Sequence, residues 1–250
     1  MGDVLAGNNA VWEFESDAVV IRYNRSVRGS RLLQALGERR VPHSALAGVE
    51  LTDGRRGTTV LRAVPRPGAD PLIEAAGGQL KESADPYRLV LPEQSRALAE
   101  FYRDELRGLG DTDTGGGRDL DEPPGRFLVA APAVPRSFKA YDGKAFFDGR
   151  TVSFRWFWTG ASSAKWKAGD QSFPVDELTG VDWRSPERLH GHLRLLRREP
   201  DQPGAAPVPP GEADQDPAAV VFGLGYGPVH ESLPFAAAVL AAIRAVRVKP

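Results

Sequence analysis

Residues 14–23 read FESDAVVIRY, and residues 147–156 read FDGRTVSFRW. In each, a short polar turn leads into a run in which apolar residues alternate or cluster, the pattern of the second strand of a β-hairpin. The two stretches lie 133 residues apart, and three more pairs follow in the same order. Residues 41–50 (VPHSALAGVE) match 173–182 (FPVDELTGVD) at 132, and 59–64 (TVLRAV) match 191–196 (GHLRLL) at 132. Residues 86–91 (PYRLVL) match 217–222 (PAAVVF) at 131. Identity is low, but residue type and spacing persist, which is the signature of an internal duplication.

Each block has a local reading. Glu15-Ser16-Asp17 and Asp148-Gly149-Arg150 are the hairpin turns, and Asp-Gly is a favourable turn pair. Pro42 and Pro174 donate no hydrogen bond and mark strand exits. Residues 58–64 and 189–196 read as further strands, with Leu61 and Ala63, or Leu193 and Leu195, facing inward. Residues 95–109 carry Leu98, Phe101, Tyr102, Leu106 and Leu109 at helical spacing, and residues 233–246 are their counterpart, with Pro234 suited to a first turn. Asp70-Pro71 opens a short extra helix in the first copy, stopped by Gly77-Gly78. In the second copy a Pro/Gly/Ala/Asp loop at 200–217 takes its place. The domains are therefore set at 8–109 and 127–248, joined by a polar linker at 110–126.

Composition excludes several classes. Lys plus Arg number 32 against 33 Asp plus Glu, for a net charge of -1, which speaks against a dedicated nucleic-acid binder. The most apolar run, 236–243, is far short of the roughly 20 residues of a membrane span. No basic-then-apolar leader is visible, so a cytoplasmic location is expected. The chain contains no cysteine, which removes disulfides, thiolate metal sites and cysteine nucleophiles.

A run of short antiparallel strands followed by one amphipathic helix, given twice, resembles the pleckstrin-homology-like superfold. The stretches VWEFESDAVVIRY, VPHSALAGVE, PGADPLIEAAGGQL with ADPYRLVL, FDGRTVSFRWFW and FPVDELTGVDW resemble the actinobacterial tandem family known as domain of unknown function four-four-two-nine, over residues 9–248. The resemblance implies a mainly β fold of two tandem PH-like β-barrels, each closed by one C-terminal helix. It transfers no catalytic residue. Some relatives carry a short C-terminal oligomerisation segment, whereas this sequence ends at Pro250 directly after its helix.

Candidate chemistry is sparse. Gly223, Gly225 and Gly227 have GxGxG spacing with no second parallel strand to follow, so they read as a strand-to-helix connection and not a dinucleotide site. His190 and His192, two apart on a strand, start a metal site only if a third ligand joins them. A solvated strand face, shared with Arg194, is the simpler reading. Arg22, Arg25, Arg28 and Arg31 recur every three residues, but the neighbouring hairpin turn is acidic and too short to wrap a phosphate headgroup.

The most distinctive segment is 154–173, where Trp156, Phe157 and Trp158 precede Lys165, Trp166 and Lys167. An exposed tryptophan among lysines suits a protein interface or an anionic membrane surface. The alternative is that Trp166 packs against the sister domain. The expectation is a non-catalytic binding or scaffold protein without metal or cofactor, recognising a protein partner through its loops or the interdomain groove, with Trp158, Lys165, Trp166 and Lys167 as the candidate binding residues. A peripheral membrane adaptor using the aromatic-basic loop 156–167 is the alternative, and a metal enzyme built on His190 and His192 a distant third.

Overall fold

The computed structural model describes residues 3–25, 29–112, 124–198 and 212–248. Residues 113–123 of the expected linker, 200–211 of the expected loop, and Arg28 lie outside the described residues. The chain forms two compact units: Met1–Asp70 with Lys81–Ala130, and Pro71–Leu80 with Ala131–Pro250.

In the first unit, β1 (Asp3–Ala6), β2 (Ala10–Phe14), β3 (Ala18–Tyr23) and β4 (Glu38–Pro42) form one antiparallel sheet in that order, with α1 (Arg31–Leu36) between β3 and β4. A second sheet contains β5 (Leu46–Asp53), β6 (Thr58–Pro65) and β7 (Arg88–Pro92). Between β6 and β7 the chain makes α2 (Pro71–Ala76), and α3 (Arg96–Thr112) follows β7. The second copy repeats the plan. β8 (Arg136–Lys139), β9 (Gly143–Phe147), β10 (Thr151–Trp156) and β11 (Gln171–Pro174) form a four-stranded sheet, with α4 (Ser163–Ala168) between the last two. β12 (Leu178–Arg184), β13 (His192–Arg197) and β14 (Ala219–Val221) form a three-stranded one, followed by α5 (Val229–Val248).

The repeat is legible atom by atom. The β5–β6 ladder has a register shift between Leu46 and Gly48, and the β12–β13 ladder has the same shift between Leu178 and Gly180. Arg62 Nε donates to Asp85 Oδ2 at 3.0 Å, and Arg194 Nε donates to Asp216 Oδ2 at 3.0 Å. The hairpin turns form where expected, with Asp148 Oδ1 accepting from the Arg150 and Thr151 amides. Trp12, Ile21, Leu61 and Leu89 are fully buried in the first unit, and Phe147, Phe154, Leu193 and Phe235 in the second. This alternation of buried with outward residues fixes strand register, because a one-residue slip would turn every core side chain to water.

Some expectations need correction. Seven strands per copy do not close into one hydrogen-bonded barrel: among the described residues each copy holds separate four- and three-stranded sheets. Where the sheets meet beside β7, one backbone bond, Asn8 N–H to Val90 O at 2.7 Å, stands in place of a ladder. The buried stripe of α3 runs through Ala99, Tyr102 and Leu106, so Leu98 and Phe101 face solvent. Tyr102 stacks on Phe14 with parallel rings 4.1 Å apart, and that contact sets the rotation of the helix. α5 starts a turn early, which leaves Pro234 inside the helix. β13 is not a solvated face: His192 and Arg194 are buried, the latter held by Asp216.

α5 is apolar on nearly all sides. Leu233, Phe235, Ala236, Ala237, Ala238, Val239 and Ile243 are all buried, as expected when a helix is covered on more than one face. By length and composition Val229–Arg247 passes for a membrane span, yet half of it is buried within the protein. Part of that cover comes from α2, although the sequence assigns α2 to the first copy. Arg244 binds both carboxylate oxygens of Glu74, at 2.7 and 2.8 Å. Gln79 donates to Trp183 O at 2.8 Å and accepts from the Ser185 amide at 3.0 Å.

A protein consisting of residues 124–248 would therefore expose an apolar flank of α5 to water. It is expected to melt at least several degrees below the full chain and to bind a hydrophobic dye at ambient temperature. Equal melting without dye binding would show that residues 71–80 are dispensable to the second unit.

Candidate functional site

Four loops meet at one end of the second unit. The Tyr141 amide donates to Val221 O at 3.0 Å, setting the β8–β9 turn beside the end of β14. The Phe222 amide donates to Gly191 O at 2.8 Å, which brings in the β12–β13 loop. The Phe157 amide donates to Asp142 O at 2.9 Å, which brings in the segment after β10. Gly160 sits so close to that turn that a Cβ on it would lie 2.3 Å from Tyr141 O.

These loops carry an apolar rim. Trp158 is 77% exposed and Trp166 47% exposed, and their rings meet edge to face with centroids 4.9 Å apart. Tyr141 and Tyr226, both exposed, make a second edge contact at 6.1 Å. Leu189 and Leu224 project almost wholly into solvent, and Leu224 is flanked by Gly223 and Gly225.

Among the described residues the first copy has no such rim. By the register of the flanking strands, Tyr141, Trp158, Trp166, Leu189, Leu224 and Tyr226 correspond to Asn8, Arg25, Gln34, Gly57, Glu93 and Ser95. None of those six is apolar. Loops of equal standing in a duplicated frame have thus taken opposite surface chemistry, and large exposed apolar clusters mark interaction sites.

Of the four residues expected to form the site, Trp158, Trp166 and Lys167 lie on the surface. Lys165 does not join them: its side chain is 0% exposed and its Nζ lies 2.5 Å from Asp142 Oδ2, with Asp142 equally enclosed. Helical geometry explains the difference. α4 is capped by Ser162, whose Oγ accepts from the Lys165 amide at 3.4 Å, and the turn that exposes Trp166 and Lys167 points Lys165 inward. Lys165 Nζ also lies 5.2 Å from the centre of the Trp156 ring. Burial pushes the Asp142 carboxyl up and the Lys165 ammonium down, each against the pull of the other.

The two histidines do not converge. His190 is exposed, at a φ of 58°, while His192 is buried and contacts His190 O at 2.8 Å and Asp182 Oδ2 at 3.1 Å. The hydrogen bond from His192 holds the Asp182 carboxyl below its ordinary range. Among the described residues no three His, Cys, Asp or Glu side chains gather as a metal would need. Arg22 is neutralised by Glu13 and Glu38, at 2.5 and 2.7 Å, and so presents no free cation to a phosphate.

Sequence reasoning missed Tyr141, Leu189, Leu224 and Tyr226. The usable signal was the repeat itself: an apolar residue opposite a polar one at aligned loop positions. Gly160→Ala is expected to push the 157–162 segment off the β8–β9 turn, costing about 1–3 kcal/mol and changing the fluorescence of Trp158. Native stability and spectrum in that variant would refute the close approach.

No curated protein matches the chain. A family described as a domain of unknown function, DUF4429, matches it twice, over residues 12–107 and 145–240. The two matches coincide with the two copies of the strand-and-helix frame, and the chain belongs to the DUF4429 family as a tandem pair.

Proposed function

We propose that this protein is a non-catalytic docking module that holds a protein partner on the apolar rim of its second unit. The observation that carries the reading is the one-sidedness of the rim, with six large exposed apolar or aromatic side chains where the six aligned, described positions of the other copy have none. Tryptophan and tyrosine offer large contact area at low cost in conformational entropy, and the edge contact of Trp158 with Trp166 reduces that cost further. Each copy is taken as PH-like on the support of four antiparallel strands, then three, then a helix, in the same order twice. In this reading the shared frame serves as scaffold and the loops do the recognising.

An anionic membrane is the second reading, and burial of Lys165 weakens it. Each lysine near such a surface adds about 1 kcal/mol of attraction, and within 156–167 only Lys167 is left to supply it.

The test places a photo-crosslinking amino acid at position 158 and, as control, at Arg25, in cells of the source organism. A discrete adduct is expected from 158 alone, lost when Trp166→Ala or Leu224→Ser is added. Both substitutions are expected to leave stability within about 0.5 kcal/mol, because the side chains are exposed. Absence of any adduct overturns the docking reading. Co-sedimentation with phosphatidylglycerol vesicles, but not phosphatidylcholine vesicles, abolished by Trp158→Ala, replaces it with the membrane reading.

A further inference from the structure

The buried pair beneath the rim has a neutral counterpart in the other copy. Asn9 stands where the second copy has Asp142, and Leu33 where it has Lys165. Asn9 Oδ1 accepts from the Val90 amide at 2.8 Å and Nδ2 donates to Arg88 O at 2.6 Å. Asp142 Oδ1 accepts from the Val221 amide at 3.0 Å, the same bond in the same place. One side-chain oxygen is thus what the junction of the two sheets requires, and a neutral amide above a buried leucine supplies it.

The second carboxylate oxygen and the lysine are additions to that minimum. Removing two charges from water is unfavourable, and replacing a buried ion pair with apolar or amide groups is often neutral or stabilising. What such a pair provides is a single geometry, since both partners must meet or each is left buried and unpaired. Here the geometry spans the rim. Asp142 follows Tyr141, and its backbone carbonyl accepts from the Phe157 amide, a bond the first copy repeats between Asn9 and Asn24. Lys165, bound to the Asp142 carboxylate, precedes Trp166. The Val221 bond fixes the strand that leads to Leu224 and Tyr226. Asp214 and Asp216 add a favourable field at the Lys165 ammonium.

We propose that Asp142 and Lys165 are positioning residues: their pairing locks the four loops into one arrangement and so presents the apolar rim as a preformed surface. The inference rests on the docking reading for its purpose but not for its test. The copy with a polar end has no ion pair at this place, and the copy with the apolar rim has one. Without such a lock the loops would sample many arrangements, and the edge contact of Trp158 with Trp166 would be lost.

The test replaces the pair with the residues of the other copy, D142N/K165L, in the full chain labelled with 5-fluorotryptophan. Thermal melting reads the fold, and fluorine NMR reads each of the five indoles, assigned by single Trp→Phe variants. The double variant is expected to melt within about 4 °C of the native protein. Its Trp12 and Trp183 resonances are expected to hold, while those of Trp158 and Trp166 converge on the position of the free amino acid as their edge contact is lost. Trp156 is not diagnostic, because it loses the lysine beside it in any case. The single variants K165L and D142N each strand one buried charge and are expected to melt well below the double variant. A folded double variant with native Trp158 and Trp166 resonances overturns the proposal. If D142N/K165L does not fold, D142N/K165M, which keeps the unbranched stem, is read in the same way. Failure of both to fold also overturns it, because the pair would then be needed for the fold and not for the rim. Loss of the rim contact in a protein whose native form gives no crosslinked adduct would support the positioning role while overturning the docking reading.

Discussion

Two open sheets meeting at an edge leave amide groups that no ladder can satisfy, and the whole frame depends on how those are met. In each copy a single side-chain oxygen, from Asn9 or from Asp142, takes the amide hydrogen of Val90 or Val221. A buried N–H without a partner costs as much as a lost hydrogen bond, so this position tolerates few residue types. Asparagine and aspartate share the required reach and acceptor. Once the acceptor is an acid, a cation must be buried with it, and the choice at one atom spreads to the helix that supplies Lys165.

Duplication lets constraint and freedom be separated by inspection. Elements that hold the sheets together recur at fixed offsets: the register shift after Leu46 and Leu178, the arginine–aspartate pairs, the turns. Even a conserved pair has changed its surroundings, since Arg62 is half exposed and Arg194 is enclosed. The first copy buries its own ionic group elsewhere. Arg39 reaches Asp70 at 2.8 Å and Tyr87 donates to the same carboxylate at 2.7 Å. Burial opposes the Arg39 charge, but Asp70 and the tyrosines outweigh it and raise its pKa. Each copy therefore buries a carboxylate with a basic partner, placed differently, beside its own apolar core.

The duplicated strands and terminal helices could be read from the chain because period-two and period-3.6 patterns are local properties of the sequence. The hairpin of residues 14–23 needed no tertiary information. Three features resisted such reading. The stripe on α3 is rotated by the stacking of Tyr102 on Phe14, a contact between residues far apart in the chain. Lys165 is a charged residue in a stretch that looks like surface, and only the position of Asp142, 23 residues earlier, draws it inside. The rim is assembled from four loops brought together by hydrogen bonds to β14 and to one another, all between residues distant in the sequence. The small helix α4 was within reach, since Ser162 and Gly169 are ordinary start and stop signals.

The bond between Glu74 and Arg244 links residues 170 positions apart. A ribosome adding 5–20 residues per second would take roughly 10–30 s to travel that distance. Throughout that interval the helix at 71–76 waits, its docking surface unmade, while β7 and α3, the partners of the strands that precede it, follow soon after it in the chain. Closure of the second unit must then wait for α5, which buries a helix laid down far earlier in the chain.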